Sequence, residues 1–298
     1  KHTKALLLHE RSGHVLPLPK GVRCLACMAG SDMGKRAAKK IRPADWEPTH
    51  SDQRHQADYK TGIDPDRESM FKTTCILGVI DEYDRVPSVL PQTSSSLASQ
   101  GLEKIYRYRR PPREIRTDNG PEFQSYAWTQ ILARLMILVN SFAPPYTPTR
   151  NSRIERLWRT LVNMVRKLML GVDARVTDVC FMCAAFLYAV RPRKFRESDG
   201  AVTKMTPFER KFKFPPSHAK LRRFGCLALT HDREAKKRSA PWKPAIFLGY
   251  SPKGASFLFG HWNEKKEWVF FESAHAKFVE TILVGKLEHL QDPRLVSL

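Results

Sequence analysis

Between Ser152 and Leu170 the apolar residues recur at helical spacing, and no other stretch limits the fold of this chain as sharply. At 100° per residue, Ile154, Leu157, Trp158, Leu161, Val162, Met164, Val165, Leu168 and Met169 fall on one broad arc. Arg156, Arg159, Asn163, Arg166 and Lys167 fall on the opposite arc. Such a helix lays one face on a core and turns its cations outward. Glu155 lies on the seam, beside Arg159 and Arg166, at the edge of the core and facing a basic strip. Ser152-Arg153-Ile154-Glu155 also reads as a capping box, with Glu155 closing on the N-cap amide.

The segments before that helix alternate in type. His55–Thr61 and Thr73–Ile80 are strand-like, with Asp64, Pro65, Asp66 and Arg67 as the turn between them. A polar segment, Gln92–Gln100, leads into a helical stretch. Glu114–Thr117 is a short strand, Tyr126–Leu135 a helix and Met136–Ser141 another strand. This alternation predicts an α/β sheet domain to about residue 200. Val179–Val190 is an apolar run of 12 residues containing Cys180 and Cys183, which suits a buried helix and is too short to span a bilayer. After Pro207 the texture changes. Phe224–Thr230, Ala245–Tyr250, Ser256–Gly260 and Glu267–Phe271 are short apolar runs at the spacing of a small all-β domain.

The 298 residues carry 51 Lys+Arg against 30 Asp+Glu, a net charge of +21. That excess points to a polyanion partner, nucleic acid ahead of an anionic membrane. A 42% hydrophobic fraction supplies a real core and argues against wholesale disorder. Six cysteines at irregular spacing do not make a disulfide framework, so a reduced, intracellular protein, nuclear or cytoplasmic, is expected. No secretory or membrane-spanning signal is present. A start at Lys1 rather than Met fits a chain cut from a longer polyprotein or an incomplete gene product.

Two sets of residues have the chemistry of metal sites. His9 and His14, followed by Cys24 and Cys27, supply the two imidazoles and two thiolates of a tetrahedral zinc site, with His2 as an outside competitor. Some forty residues can scarcely stabilise themselves by core burial, so a structural ion would explain how this segment folds. The residues from Lys35 to Arg42 read as a basic arm or linker. The second set is acidic. Asp118 ends the run Ile115-Arg116-Thr117, and Glu155 opens the basic helix, with 36 residues between them. Carboxylates brought together from different elements are what a two-metal phosphoryl-transfer site requires. Asp118-Asn119-Gly120 is equally a good turn sequence. A third acid is needed, and Asp58 in mid-strand and Asp81 at the end of Ile76–Ile80 are the candidates.

Thr117-Asp118-Asn119-Gly120-Pro121-Glu122-Phe123, and then Pro145-Tyr146-Thr147-Pro148 through Asn151 to Glu155-Arg156, resemble the second and third carboxylate motifs of retroviral and copia-type retrotransposon integrases. In that resemblance Asp58 matches the first catalytic acid, and Asp81 falls in a structural strand motif. His9, His14, Cys24 and Cys27 resemble the zinc module before the core, although the interval from His14 to Cys24 is short. Ser152 stands where a Gly is often found. Thr206-Pro207-Phe208-Glu209, Leu221 to Cys226 and Phe247 to Ser251 resemble the copia-type segment that follows the core. The resemblance implies an α/β, ribonuclease-H-like mixed sheet and a polynucleotidyl transferase that trims and joins DNA 3′ ends. It implies Asp58, Asp118 and Glu155 on two Mg²⁺ or Mn²⁺ ions, Zn²⁺ at the N-terminal module, and DNA and further copies of the chain as partners. The expected organisation is a zinc module and linker at 1–45, a catalytic core at 50–200, a linker at 201–220, an SH3-like barrel at 221–285 and a tail at 286–298. Arg150, Arg153, Arg156, Arg159, Arg166 and Lys167 are the expected phosphate contacts, each also explicable as part of a solvated helix face. The rival expectations are a DDE transposase of an insertion element and a non-catalytic DNA- or chromatin-binding derivative.

Overall fold

The computed structural model describes residues 2–14, 16–19, 21–29, 48–63, 69–70, 72–142, 151–197, 200–231, 242–254, 256–263, 265 and 267–292. The Asp64–Arg67 turn, the 35–42 arm, the Pro145–Pro148 motif and Arg150 lie outside them. Two short helices, α1 (His2–Arg11) and α2 (Leu25–Ala29), come first. The next run comprises β1 (Arg54–Thr61), β2 (Cys75–Asp81), β3 (Pro87–Gln92), α3 (Ala98–Tyr106) and β4 (Glu114–Thr117). It continues through α4 (Pro121–Gln124), α5 (Tyr126–Arg134), β5 (Val139–Phe142), α6 (Ser152–Leu168) and α7 (Thr177–Ala189). The five strands form one sheet in the order β3-β2-β1-β4-β5. β1, β2 and β3 pair antiparallel, while β4 and β5 continue the sheet parallel from β1. This is the mixed α/β sheet that the sequence predicted, and its order is consistent with a ribonuclease-H-like core.

Strand β2 is buried along its whole length and divides the core. Its residues alternate between faces as a strand requires. Leu77 and Val79 join Ala57, Leu102, Ile115, Phe123 and Trp128 under α3, α4 and α5. Ile76 and Ile80 point the other way, into a cluster with Ile154, Leu157, Leu161 and Val165 of α6 and Val179, Cys183 and Leu187 of α7. The buried face of α6 is the predicted arc: Ile154, Leu157, Trp158, Leu161, Met164, Val165 and Leu168. Helix α7 is apolar on nearly every side because it is wedged between β3, α6 and the C-terminal sheet.

A hairpin of β6 (Arg193–Arg196) and β7 (Val202–Met205) and a helix α8 (Pro207–Phe212) lead to the C-terminal strands. These are β8 (Cys226–His231), β9 (Trp242–Tyr250), β10 (Phe257–Trp262), β11 (Trp268–Ser273) and β12 (Ala276–Leu283), all antiparallel in the order β11-β10-β9-β8-β12. Leu227, Ile246 and Leu248 belong to the same apolar cluster as α6 and α7, so this all-β unit is fused to the core. The ring of Tyr250 stacks on Phe186 of α7 at 4.0 Å between centroids.

Several boundaries moved for physical reasons. β3 runs through Pro87 and Pro91, which the sheet tolerates because β3 is an edge strand. β5 begins at Val139 rather than Met136 because Met136 takes a left-handed φ of 55° to end α5. α1 forms without clear apolar periodicity, and β12 adds a strand that the spacing did not announce. Among the described residues no helix is long and apolar enough to cross a membrane.

Candidate active site and metal centres

Strand pairing brings the first two acids together. Arg54, His55 and Gln56 of β1 pair in parallel with Glu114, Ile115 and Arg116 of β4. Asp58 stands two residues beyond Gln56 within β1, and Asp118 two residues beyond Arg116, just past the end of β4. Asp118 Oδ1 accepts a hydrogen bond from the Gly120 amide at 3.1 Å, so the predicted turn forms and fixes the carboxylate beyond the strand end. Asp58 pairs across the sheet with Gly78, on the face covered by α6.

Glu155 is exposed in the first turn of α6. The capping box predicted for Ser152–Glu155 does not form. The N-cap is Asn151, with no side-chain capping hydrogen bond, and Ser152 is already helical. Among the described residues a capping box forms instead at Thr206–Glu209 on α8. The start of α6 is held from outside: the Ile154 amide donates to Gln56 Oε1 at 3.0 Å, and Gln56 Nε2 donates to the buried Glu82 at 2.8 Å. One turn later, Trp158 Nε1 donates to Asp58 Oδ2 at 3.1 Å. The two ties are commensurate. Gln56 to Asp58 is a rise of about 6.6 Å along a strand, and Ile154 to Trp158 is about 6 Å along a helix. The helix therefore runs alongside β1 with Glu155 fixed between the two ties. Gln56 and Trp158 are positioning residues that sequence reasoning missed, since neither contact is local.

Burial raises the Asp58 pKa to about 7, and the charges of Asp118 and then Glu155 add to the shift, against hydrogen bonds from the Tyr59 amide and Trp158. Asp58 is half-buried while Asp118 and Glu155 are exposed; like charges that act on one another in this way are offset by a divalent cation, and an all-oxygen donor set suits Mg²⁺ or Mn²⁺. These acids are spread more widely than the tightest donor groups of the described residues. Those groups, with ligand atoms all within 4.8 Å, are His9–His14–Cys24–Cys27 and Asp52–His55–Asp81.

The second group contains Asp81, the rival third acid, which is already bonded within the protein. Asp81 is fully buried and accepts from the Asp52 amide at 2.7 Å, the Tyr83 amide at 2.7 Å and His55 Nε2 at 3.1 Å. Burial would push its carboxyl up, but His55 and these amides hold it well below the usual range. His55 Nδ1 meets Tyr106 Oη at 2.7 Å, and Lys211 lies 3.0 Å from Asp52 and 3.4 Å from Asp84. With its lone pairs already taken by protein donors, Asp81 suits a sheet-end brace. Asp58 instead feels the charges of Asp118 and Glu155.

The cations divide. Arg156 and Arg159 are exposed on α6 directly after Glu155, and Arg166 is exposed further along, 3.4 Å from Asn163 Oδ1. Arg153 is largely buried with Nε 3.9 Å from Glu82. Lys167 is half-buried beside the His/Cys group, where its charge lowers the pKa of His14 and opposes the rise at Cys27.

That group folds around the end of α1. His14 and Gly13 take left-handed φ values of 63° and 67°, and the His14 amide returns to the His9 carbonyl at 2.8 Å. This tight stop brings the imidazoles to 5.1 Å between ring centroids. Cys24 and Cys27 sit three residues apart around the start of α2, which puts both sulfurs on one side. His9 Nε2 lies 3.2 Å from Cys27 Sγ, and His14 Nδ1 lies 3.2 Å from Cys24 Sγ. His9 Nδ1 is bonded to the Leu16 carbonyl, which leaves Nε2 its lone pair. Burial, then the charges of His9, Lys167 and Arg223, lower His14 to about 3, so its imidazole is neutral as a metal ligand must be. The short interval to Cys24 is therefore no obstacle to convergence.

Gly78 has a spatial reason. A Cβ there would stand 2.4 Å from Cζ2 of Trp158, whose ring is buried. Gly78→Ala is expected to destabilise the fold by about 1–3 kcal/mol, as overpacking does, read as a lower urea midpoint at unchanged slope. An unchanged midpoint would mean that the indole does not lie on the sheet. Gln56→Leu removes the acceptor for the Ile154 amide and the donor to Glu82, both buried, at a cost of about 1–3 kcal/mol by the same measurement.

Residues 48–148 match the integrase core domain. The matched span contains Asp58 and Asp118 and ends seven residues before Glu155 (155 − 148). No curated protein sequence matches the chain. A chain of the simian T-cell lymphotropic virus intasome, in complex with PP2A regulatory subunit B56 gamma, is similar at 16% identity. That similarity covers 86% of this chain and 87% of the other, with a TM-score of 0.45. The catalytic core domain of BIV integrase in crystal form I is similar at 16% identity over 54% of this chain and 95% of that one, with a TM-score of 0.41.

Proposed function

We propose that this chain is a retrotransposon integrase of the copia-type kind, a polynucleotidyl transferase that trims DNA 3′ ends and joins them to target DNA. The match to an integrase core domain implies polynucleotidyl transfer. The observation that carries the chemical part of this reading is the placement of three acids from three elements, while the copia-type part rests on the motif resemblance. Asp58 stands on β1, Asp118 directly follows the neighbouring parallel strand β4, and Glu155 is on a helix pinned to β1 by Gln56 and Trp158.

Asp58 and Asp118 would share two Mg²⁺ or Mn²⁺ ions, with Glu155 completing the second site. Bound there, the ions would activate the attacking oxygen and stabilise the leaving one. Trimming uses water as nucleophile, and joining uses a DNA 3′-hydroxyl. In joining, one P–O bond forms as another breaks and the proton passes to solvent, so no energy-rich co-reactant is needed. Trp158 and the Tyr59 amide orient the Asp58 carboxylate, while the Gly120 amide orients Asp118. Arg156 and Arg159, both exposed, would hold the phosphodiester backbone, setting affinity rather than sequence choice. His9, His14, Cys24 and Cys27 would hold a structural Zn²⁺, and the C-terminal sheet would be the SH3-like unit.

The test is an end-joining assay with a duplex oligonucleotide and a plasmid target. Covalent joining that requires Mg²⁺ or Mn²⁺ is expected. DNA binding with no metal-dependent cleavage or joining would instead favour the non-catalytic derivative.

A further inference from the structure

Away from the acids, a cavity of about 360 Å³ opens between α6, the end of β2 and the segment joining α7 to β6. Six cations line it: Arg85, Arg153, Arg156, Arg191, Arg193 and Lys194. Among the described residues no carboxylate lines it. Two of the six have structural duties. Arg85 donates to the Lys194 carbonyl at 3.0 Å, and Arg153 faces Glu82. The other four are not accounted for in this way. Arg193 lies over the Tyr188 ring at 3.4 Å, and its Nε and Nη2 atoms are shut off from solvent without a hydrogen-bond acceptor among the described residues. A guanidinium in that state is costly unless an anion completes it. Burial, with the neighbouring Arg191 charge, lowers the Arg193 pKa to about 10. The compensation at hand is small: Glu82 at one edge, and the C-terminal end of α7 with about half a negative charge. Six positive charges far exceed it.

We propose that this cavity seats a backbone phosphate of a polynucleotide, held by Arg156, Arg191, Arg193 and Lys194. A polynucleotide is favoured over an acidic peptide by the position of the cavity on α6. Arg156 follows Glu155 directly, and Thr160, also on the lining, is only about 7.5 Å further along the axis. Arg153, Arg156 and Thr160 recur at helical spacing, so the basic lining runs along the same helix that carries Glu155 on another of its faces. The inference rests on the strand-transfer reading only for which polynucleotide is bound. It extends the contact surface from one helix to Arg191 and the first residues of β6, which the sequence did not single out.

The test measures binding of a fluorescent duplex by anisotropy over a salt series without divalent ions, comparing the unaltered chain with Arg191→Ala/Lys194→Ala. Each lost phosphate contact should flatten the plot of log K against log salt by about 0.9, so a fall of about two in slope is expected. Should the double variant fail to fold by circular dichroism, Lys194→Ala alone, at an exposed side chain, is expected to flatten the slope by about one. An unchanged slope in a folded variant would overturn the proposal, as would polyglutamate competing as well as DNA at equal charge. Flattened binding in a chain that never joins DNA ends would support this site while overturning the catalytic reading. Metal-dependent joining with binding unchanged by the substitutions would do the reverse.

Discussion

Asp118→Asn is expected to lower metal-dependent end joining by about three orders of magnitude or more, roughly 4 kcal/mol of transition-state stabilisation at 1.36 kcal/mol per decade. Asparagine keeps an oxygen that accepts from the Gly120 amide, so the turn after β4 survives. What is lost is the charge facing Asp58. Because the Asp118 charge is one of the forces raising the Asp58 pKa, its removal relieves repulsion in the metal-free protein. The variant should therefore melt at the same temperature or higher, and bind duplex DNA within about twofold of the unaltered chain. Loss of joining without loss of stability or binding separates a metal-holding carboxylate from a turn residue. Joining at a similar rate in the variant would remove Asp118 from the site.

Removing zinc should have the largest effect on folding, and a confined one. The chain is expected to hold about one Zn²⁺, and Cys24→Ala to hold none. Structural zinc sites of this donor type contribute on the order of 10–16 kcal/mol, more than a segment of this size can gain from its core. The main apolar clusters contain no residue before Ala57, so the rest of the fold is expected to survive loss of the ion. The segment is tethered to it by Arg11 and Glu280 at 2.6 Å, and by Arg223 and Glu10 at 3.3 Å. In limited proteolysis, chelation or Cys24→Ala should expose the first 29 residues to rapid cleavage while the remainder resists. Equal resistance with and without the ion would contradict a structural zinc site.

The parts of this protein governed by local periodicity were legible. The apolar arc of α6 and the limits of β4 follow from side-chain spacing alone, and the Asp-Asn-Gly turn from local hydrogen-bonding chemistry. The four His and Cys residues were found by donor type. What the sequence hid depends on contacts between distant residues. Gln56 and Trp158 fix the strand against the helix through hydrogen bonds spanning 98 and 100 positions. The capping box at Ser152 was a sound local pattern that lost to Gln56, a tertiary partner for the same helix end. The partners of Asp81, the rival acid, were equally hidden: His55 and the amides of Asp52 and Tyr83 reach it from other segments and the following turn. β3 was hidden by its prolines because edge position is a property of the sheet.

The most direct test of the central claim is anomalous diffraction from crystals soaked in Mn²⁺. Two peaks roughly 4 Å apart, bounded by Asp58, Asp118 and Glu155, are expected, with the carboxylates drawn closer together than in the metal-free fold. Ions bound instead at Asp52, His55 and Asp81, or no ion between the three acids at saturating Mn²⁺, would contradict it.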